Sequence, residues 1–131
     1  VEDHRAALEW LEGEVAGVPL WAGGFSFGAR TAAALATREE RIRQVLLIAL
    51  PVLAFPCALA DDVRCPGLVL MPGKDRFGTA ADVRELLPGL AQRAEVDEIE
   101  GADHFFGGAM EDLQARVGDW ALRALHTESS P

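Results

Sequence analysis

The segment of this sequence that is best suited to nucleophilic chemistry is centred on a serine. Ser26 is the centre of Gly24-Phe25-Ser26-Phe27-Gly28, between a short apolar run and an alanine-rich run. A Gly-x-Ser-x-Gly pattern between a strand and a helix predicts a turn that lifts the hydroxyl to the helix N-terminus. The flanking glycines permit a turn too tight for a β-carbon. The helix dipole and free N–H groups there favour the negative charge of a nucleophile.

Two later segments supply a base and an acid that such a serine requires. Asp75 lies in the segment 72–78 (PGKDRFG) and His104 in the segment 101–108 (GADHFFGG), each after its own apolar run. An imidazole can take the serine proton, and a carboxylate can hold the imidazole tautomer and stabilise its cation. His104 is the only histidine that we place in a strand-end loop. The sequence therefore predicts that Ser26, His104 and Asp75 act together.

Other interpretations of these turns stay open. Asp75 could be only a turn residue beside a glycine. Asp103 is a competing carboxylate, although we expect it to shape the turn or face solvent because it adjoins His104. Phe105 and Phe106 are expected to pack beneath the loop rather than touch a substrate.

The elements that position these residues follow from hydrophobic periodicity. Helices are predicted near 2–15, 27–37, 80–92 and 110–125, and strands near 18–23, 44–50, 66–71 and 95–100. Pro88 and Gly89 are expected to bend or interrupt the helix at 80–92. The nearly unbroken apolar runs at 44–50 and 66–71 are typical of parallel strands buried on both faces. Alternating strands and helices predict a parallel sheet covered by helices, with ligands bound beyond the carboxyl ends of the strands.

The composition is that of a single domain that does not bind nucleic acid. The chain has 131 residues and a formal net charge of −9, and we divide it into a domain at 1–126 and a tail at 127–131. Nucleic acids and anionic membranes bind clustered Lys and Arg, so the charge argues against both partners. The longest apolar run, 45–60, is broken by Pro51 and Pro56, so no segment is suited to span a bilayer.

No residue pattern indicates a metal or an organic cofactor. Cys57 and Cys65 flank a predicted loop and are too few for a metal site, and we interpret them as reduced thiols of a cytoplasmic protein rather than a disulfide. The acidic run at 95–100 is interpreted as the solvent-exposed face of a sheet-edge strand rather than as metal ligands. We therefore expect chemistry carried by side chains alone.

The three motifs together resemble the C-terminal part of an α/β hydrolase of the small, dienelactone-hydrolase-like kind. The resemblance rests on 23–30 (GGFSFGAR), 73–78 (GKDRFG) and 101–106 (GADHFF), which occur in the order serine, acid, histidine. It covers nearly the whole chain. It implies a three-layer α/β sandwich whose short, mostly parallel sheet has about four strands, with helices on both faces.

The resemblance also implies roles for individual residues. Ser26 would be the nucleophile, His104 the general base and acid, and Asp75 the acid that orients the imidazole. The backbone N–H of Phe27 would supply half of an oxyanion hole, and Phe25 and Phe27 would line the substrate pocket. The implied activity is hydrolysis of an ester or related acyl compound, a small-molecule substrate, through an acyl-enzyme.

The chain departs from that family on its N-terminal side. Only one helix and one strand precede the serine turn, which leaves 18–23 as an apolar sheet edge. We expect a piece of a longer protein; the alternative is a natural short form that covers the edge as a homodimer. A second oxyanion donor would also be missing, so a non-catalytic binding or scaffold domain is the alternative function. Acyl transfer to a nucleophile other than water is a third.

Overall fold

Four parallel strands form one sheet in this protein, and helices cover both faces. The computed structural model describes residues 2–129. The elements are α1 (Glu2–Glu14), β1 (Leu20–Phe25), α2 (Phe27–Arg38), β2 (Ile42–Ile48), β3 (Gly67–Pro72), α3 (Ala80–Leu86), α4 (Pro88–Arg93), β4 (Glu95–Ile99) and α5 (Met110–Ser129), with a short 3-10 helix at Ala58–Asp62. The strands lie in the order β1-β2-β3-β4, all parallel. This confirms the predicted α/β fold.

Alternating side chains of the central strands fill two separate cores. Val69 and Met71 of β3 point into a core formed with α2, α3 and α4. Leu68 and Leu70 point into the other core, against α5. Because successive residues of a strand face opposite sides, a strand between two helical layers must be apolar throughout. For this reason the two apolar runs that were predicted to be buried strands correspond to β2 and β3.

The predicted helix at 80–92 is divided in two. Leu87 N–H bonds to Val83 O and closes α3, and Pro88 then begins α4. Proline has no N–H to continue a helix but suits its first turn, where that donor is not needed. Thr79 begins α3 with a capping box, in which its N–H donates to Asp82 Oδ2 at 2.9 Å.

The predicted tail at 127–131 is wrong for its first three residues. The last helix, α5, continues to Ser129, so the ordered domain extends beyond the predicted limit of 126. Trp21 Nε1 donates to Glu128 Oε2 at 3.3 Å, and this contact with β1 holds the end of the helix against the sheet. Residues 130 and 131 lie outside the described part of the chain.

The two edges of the sheet are finished differently. The outer strand β4 is the predicted wet edge, and its Asp97 is paired with Arg116 of α5 at 2.8 Å. At the other edge, β1 is displaced toward the carboxyl side of the predicted 18–23 and has only β2 as a neighbour. Whether a second copy pairs with β1 stays a prediction.

Two classes of feature are absent from the part of the chain that the structure describes. Between residues 2 and 129 no helix combines the length and apolar character needed to cross a bilayer. Within the same range, no group of three or more His, Cys, Asp or Glu side chains is arranged to hold a metal ion.

Candidate active site

The serine turn connects β1 directly to α2. Ser26 has φ 57° and ψ −121°, a conformation that side chains rarely adopt. Its N–H donates to Ile48 O at 2.8 Å, and its own carbonyl accepts from Ala29 N–H at 2.9 Å. These bonds to β2 and to the first turn of α2 hold the strained backbone in place, and strain of this kind concentrates at functional sites.

The two glycines of the motif are not equivalent. A β-carbon on Gly24 would lie 2.2 Å from the carbonyl oxygen of Gly28, inside any allowed contact. A β-carbon on Gly28 would meet no described atom within 4 Å. The predicted steric need for glycine is therefore confirmed at Gly24 and wrong at Gly28, whose side of the turn is open.

The three residues singled out for chemistry meet beyond the carboxyl ends of the strands. Ser26 Oγ lies 2.8 Å from His104 Nε2, and His104 Nδ1 lies 2.5 Å from Asp75 Oδ2. The side chains of His104 and Asp75 are only 12% and 2% exposed, so little water competes for these bonds. A carboxylate on Nδ1 holds the proton there, which leaves Nε2 free to accept the serine proton.

The structure separates the two candidate carboxylates. Asp75 uses its second oxygen, Oδ1, to accept the N–H of Phe77 at 3.0 Å, which fixes the carboxylate toward His104. Asp103 Oδ1 instead accepts the N–H groups of Phe105 at 3.0 Å and Gly107 at 3.1 Å. Asp103 therefore shapes the turn that carries His104, as expected, and does not contact the imidazole nitrogens.

Comparison with known proteins relates the fold of this chain to that of α/β hydrolases. No family model matches the chain. An uncharacterized protein of Rickettsia prowazekii (strain Madrid E) is 30% identical over 140 residues, which cover 93% of this chain and 55% of that protein. A solved α/β serine hydrolase homologue from Coxiella burnetii superposes with a TM-score of 0.78 at 28% identity, covering 88% of this chain and 55% of the other.

A second solved structure agrees with the first. It is a protein of unknown function from Agrobacterium tumefaciens described as an α/β hydrolase, with a TM-score of 0.85 at 25% identity, covering 98% of this chain and 62% of its own. This chain therefore has the α/β-hydrolase fold. It spans about half the length of the curated relative that it matches.

Aromatic rings surround the imidazole of His104. The imidazole of His104 makes edge contacts with Phe77 at a centroid distance of 5.0 Å and with Phe105 at 5.2 Å, and a tilted contact with Phe25 at 5.3 Å. Such ring pairs restrict the orientation of the imidazole in addition to its hydrogen bonds. Phe25 is thus beside the site, as predicted for a pocket residue, and its contact with substrate stays a prediction.

The prediction that Phe105 packs beneath its loop is wrong. Its side chain is 72% exposed, whereas the neighbouring Phe106 is only 2% exposed and belongs to the core against α5. Phe106 has φ 56°, which turns the chain at this point and sends the two adjacent rings in different directions. Periodicity could not assign the two phenylalanines, because the turn breaks any regular alternation.

The other side of Ser26 is formed by Phe27 and the segment after β2. Phe27 is the first residue of α2, so its N–H has no intrahelical acceptor, as an oxyanion donor requires. Its ring makes an edge contact with Phe55 at 5.6 Å. Arg30 lies over the Phe27 ring at 5.8 Å, and its Nε donates to Pro56 O at 2.5 Å. Arg30 therefore anchors that segment to α2.

Both cysteines of the chain, Cys57 and Cys65, are free thiols. Burial raises the pKa of the Cys57 thiol above its ordinary value, and the nearby charge of Arg30 opposes this shift only in part. Burial likewise raises the pKa of Cys65. Both therefore favour the neutral thiol over the reactive thiolate, and neither is suited to act as a nucleophile.

A cavity elsewhere in the chain is distinct from this site. It has a volume of about 220 Å³ and lies beside β1, between α1 and α2, against Leu8, Leu11, Ala22 and Leu35. Neither Ser26 nor His104 lines it. The cavity therefore marks the open edge of the sheet rather than a place for the reacting group.

Proposed function

We propose that this chain carries the catalytic centre of a serine hydrolase that acts on an ester or a related acyl compound. The observation that carries the proposal is the unbroken hydrogen-bonded series from Ser26 through His104 to Asp75. Both distances are within the range over which a proton can be transferred or shared. The likeness to a solved α/β serine hydrolase homologue supports the same chemistry.

Each side chain has a step in the proposed mechanism. His104 Nε2 takes the Ser26 proton as Oγ attacks the substrate carbonyl carbon, and Asp75 stabilises the imidazolium that forms. The N–H of Phe27 donates to the oxyanion of the tetrahedral intermediate. His104 then protonates the leaving oxygen, its bond to carbon breaks, and the acyl group remains on Ser26. Water, deprotonated by His104, releases the acid and restores the serine.

The strained serine favours this proposal over a non-catalytic scaffold. A non-glycine residue in such a conformation costs on the order of 1–3 kcal/mol. A scaffold has no need of that cost, whereas a nucleophile gains an exposed hydroxyl at a helix N-terminus. We place the reaction in the cytoplasm as part of the same proposal, because reduced thiols such as Cys57 and Cys65 persist there.

Covalent labelling tests the nucleophile directly. The chain has three serines, Ser26, Ser129 and Ser130, so intact mass spectrometry after treatment with a fluorophosphonate can assign the adduct by substitution. We expect one adduct on the wild-type chain, none on Ser26→Ala and an unchanged adduct on the control Ser129→Ala. His104→Ala should slow labelling by roughly 10²–10⁴-fold, the usual contribution of a general base.

The opposite result is equally informative. If the wild-type chain is folded by circular dichroism and gains no adduct, Ser26 is not activated in this chain, and the proposal that this chain carries the catalytic centre is wrong. If Ser26→Ala still gains the adduct, the nucleophile lies elsewhere and the roles of His104 and Asp75 fall with it.

A further inference from the structure

All of the exposed phenylalanine rings in the described structure lie around the Ser26–His104 pair. The chain has six phenylalanines. Four have large exposed fractions: 41% for Phe25, 54% for Phe27, 46% for Phe55 and 72% for Phe105. Apolar surface left in water beside a candidate nucleophile marks a place where an apolar group can bind.

These four rings form two separate pairs. Phe25 and Phe105 are 6.0 Å apart by ring centroids, and each also contacts the imidazole of His104. Phe27 and Phe55 form the other pair, 5.6 Å apart. Among the described residues, neither ring of this second pair makes a ring contact with His104. Only the first pair, which we call the histidine-side wall, adjoins the imidazole.

The proton path determines which part of a substrate meets the histidine-side wall. The proton that leaves Ser26 Oγ passes to His104 Nε2 and then to the oxygen of the leaving group as its bond to carbon breaks. That oxygen must therefore come within hydrogen-bond distance of Nε2. The substituent that it carries lies on the side of His104, where Phe25 and Phe105 present their rings. The acyl group stays bonded to Ser26.

The Phe105 ring is held in place although it is exposed. The backbone N–H of Phe105 donates to Asp103 Oδ1 at 3.0 Å, and the next residue, Phe106, is buried in the core against α5. The ring itself is supported by its contacts with His104 and Phe25. A ring fixed in this way can contact a second ring without first losing much conformational freedom.

We propose that Phe105, together with Phe25, is a specificity-determining surface that favours esters with an aryl leaving group. The inference rests on the proposed serine hydrolase function and adds the class of alcohol that it releases. An aryl ring placed against this wall gains offset or edge-to-face contacts worth about 0.5–1.5 kcal/mol. By the usual relation between energy and rate, this corresponds to a preference of about 2- to 12-fold.

The test compares two esters of the same acid, one with a phenyl and one with a 2,2,2-trifluoroethyl leaving group. Both give the same acyl-enzyme, so any difference between them arises before the leaving group departs. We expect Phe105→Ala to lower kcat/KM for the phenyl ester by about 2- to 12-fold more than for the trifluoroethyl ester. The rate of deacylation should be the same for both esters in this variant.

The control is Leu122→Ala, because Leu122 is as exposed, at 70%, but lies on α5. We expect it to leave the ratio of the two kcat/KM values unchanged. Fluorophosphonate adducts at Ser26 in all three proteins show that the site is intact. Equal losses for the two esters would overturn the leaving-group surface alone, whereas hydrolysis of neither ester despite labelling would overturn the proposed ester substrate as well. Absence of labelling in the wild-type chain would remove the proposed function and this inference together.

Discussion

At the residue scale, the decisive feature is the strained backbone of Ser26, which a few backbone hydrogen bonds hold in place. Its φ of 57° is offset by hydrogen bonds to Ile48 and Ala29. The same turn brings the α-carbon of Gly24 against the carbonyl of Gly28. Any β-carbon at Gly24 would push the first turn of α2 away from β1, and Ser26 would move with it.

The two glycines permit a matched pair of substitutions. We expect Gly24→Ala to lower the free energy of unfolding by about 3 kcal/mol or more, because the added methyl overlaps backbone that cannot withdraw. Gly28→Ala should not lower it, and the gain in helix propensity should raise it by up to about 1 kcal/mol. Urea unfolding of both variants measures the difference. Similar losses in both would show that the space beside Gly28 is not open in solution.

At the element scale, the segment between β2 and β3 stabilises helix α4 through hydrogen bonds at both of its ends. The residue before α4, Leu87, provides no side-chain cap. Asp61, in the short 3-10 helix, instead accepts the N–H of Leu90 at 3.0 Å. Arg93, in the last turn of α4, donates its Nε to Val63 O at 2.6 Å. Both ends of α4 are therefore tied to the segment that also carries Phe55.

Two adjacent aspartates test this support. Asp61→Ala removes an acceptor for a helix N-terminal N–H and should cost about 0.5–2 kcal/mol of stability, as loss of an N-cap does. Asp62→Ala is the control, because the side chain of Asp62 is exposed. Its substitution removes the same charge as Asp61→Ala. Thermal unfolding followed by circular dichroism compares them. An equal change in Tm for both would mean that only the charge matters and that the bond to Leu90 does not stabilise α4.

At the scale of the whole molecule, the sheet has one protected edge and one open edge. Asp97 and Glu95 of β4 are paired with Arg116 and Arg123 of α5, which keeps that edge charged and solvated. Val18, two residues before β1, is 56% exposed. A strand edge with unpaired backbone groups and apolar neighbours is a template for pairing with another chain.

We propose that the isolated chain associates through the β1 edge. Multi-angle light scattering should give a mass above that of the 14.1 kDa monomer. Val18→Lys, which places a charge beside β1, should shift the mass toward the monomer. Leu122→Lys introduces the same charge at another exposed position, on α5, and should leave the mass unchanged. A monomeric wild-type chain over a wide range of concentration would contradict the proposal.

The strand and helix pattern of this protein was determined by its sequence alone. The apolar runs that became β2 and β3 have no other stable place than between two helical layers. The serine turn was equally local, since glycine at position 24 and the adjoining strand and helix all lie within a few residues of Ser26. Proline at position 88 divided the predicted helix as its missing N–H requires.

Only the tertiary structure decided which side chains meet. Ser26 and His104 are 78 positions apart in the chain, so their distance depends on strand order and on the turns after two different strands. The exposure of Phe105 rather than Phe106 follows from a backbone turn that no periodicity encodes. Local pattern determines which face of an element is buried, but contacts between distant residues exist only once the sheet has brought the strand ends together.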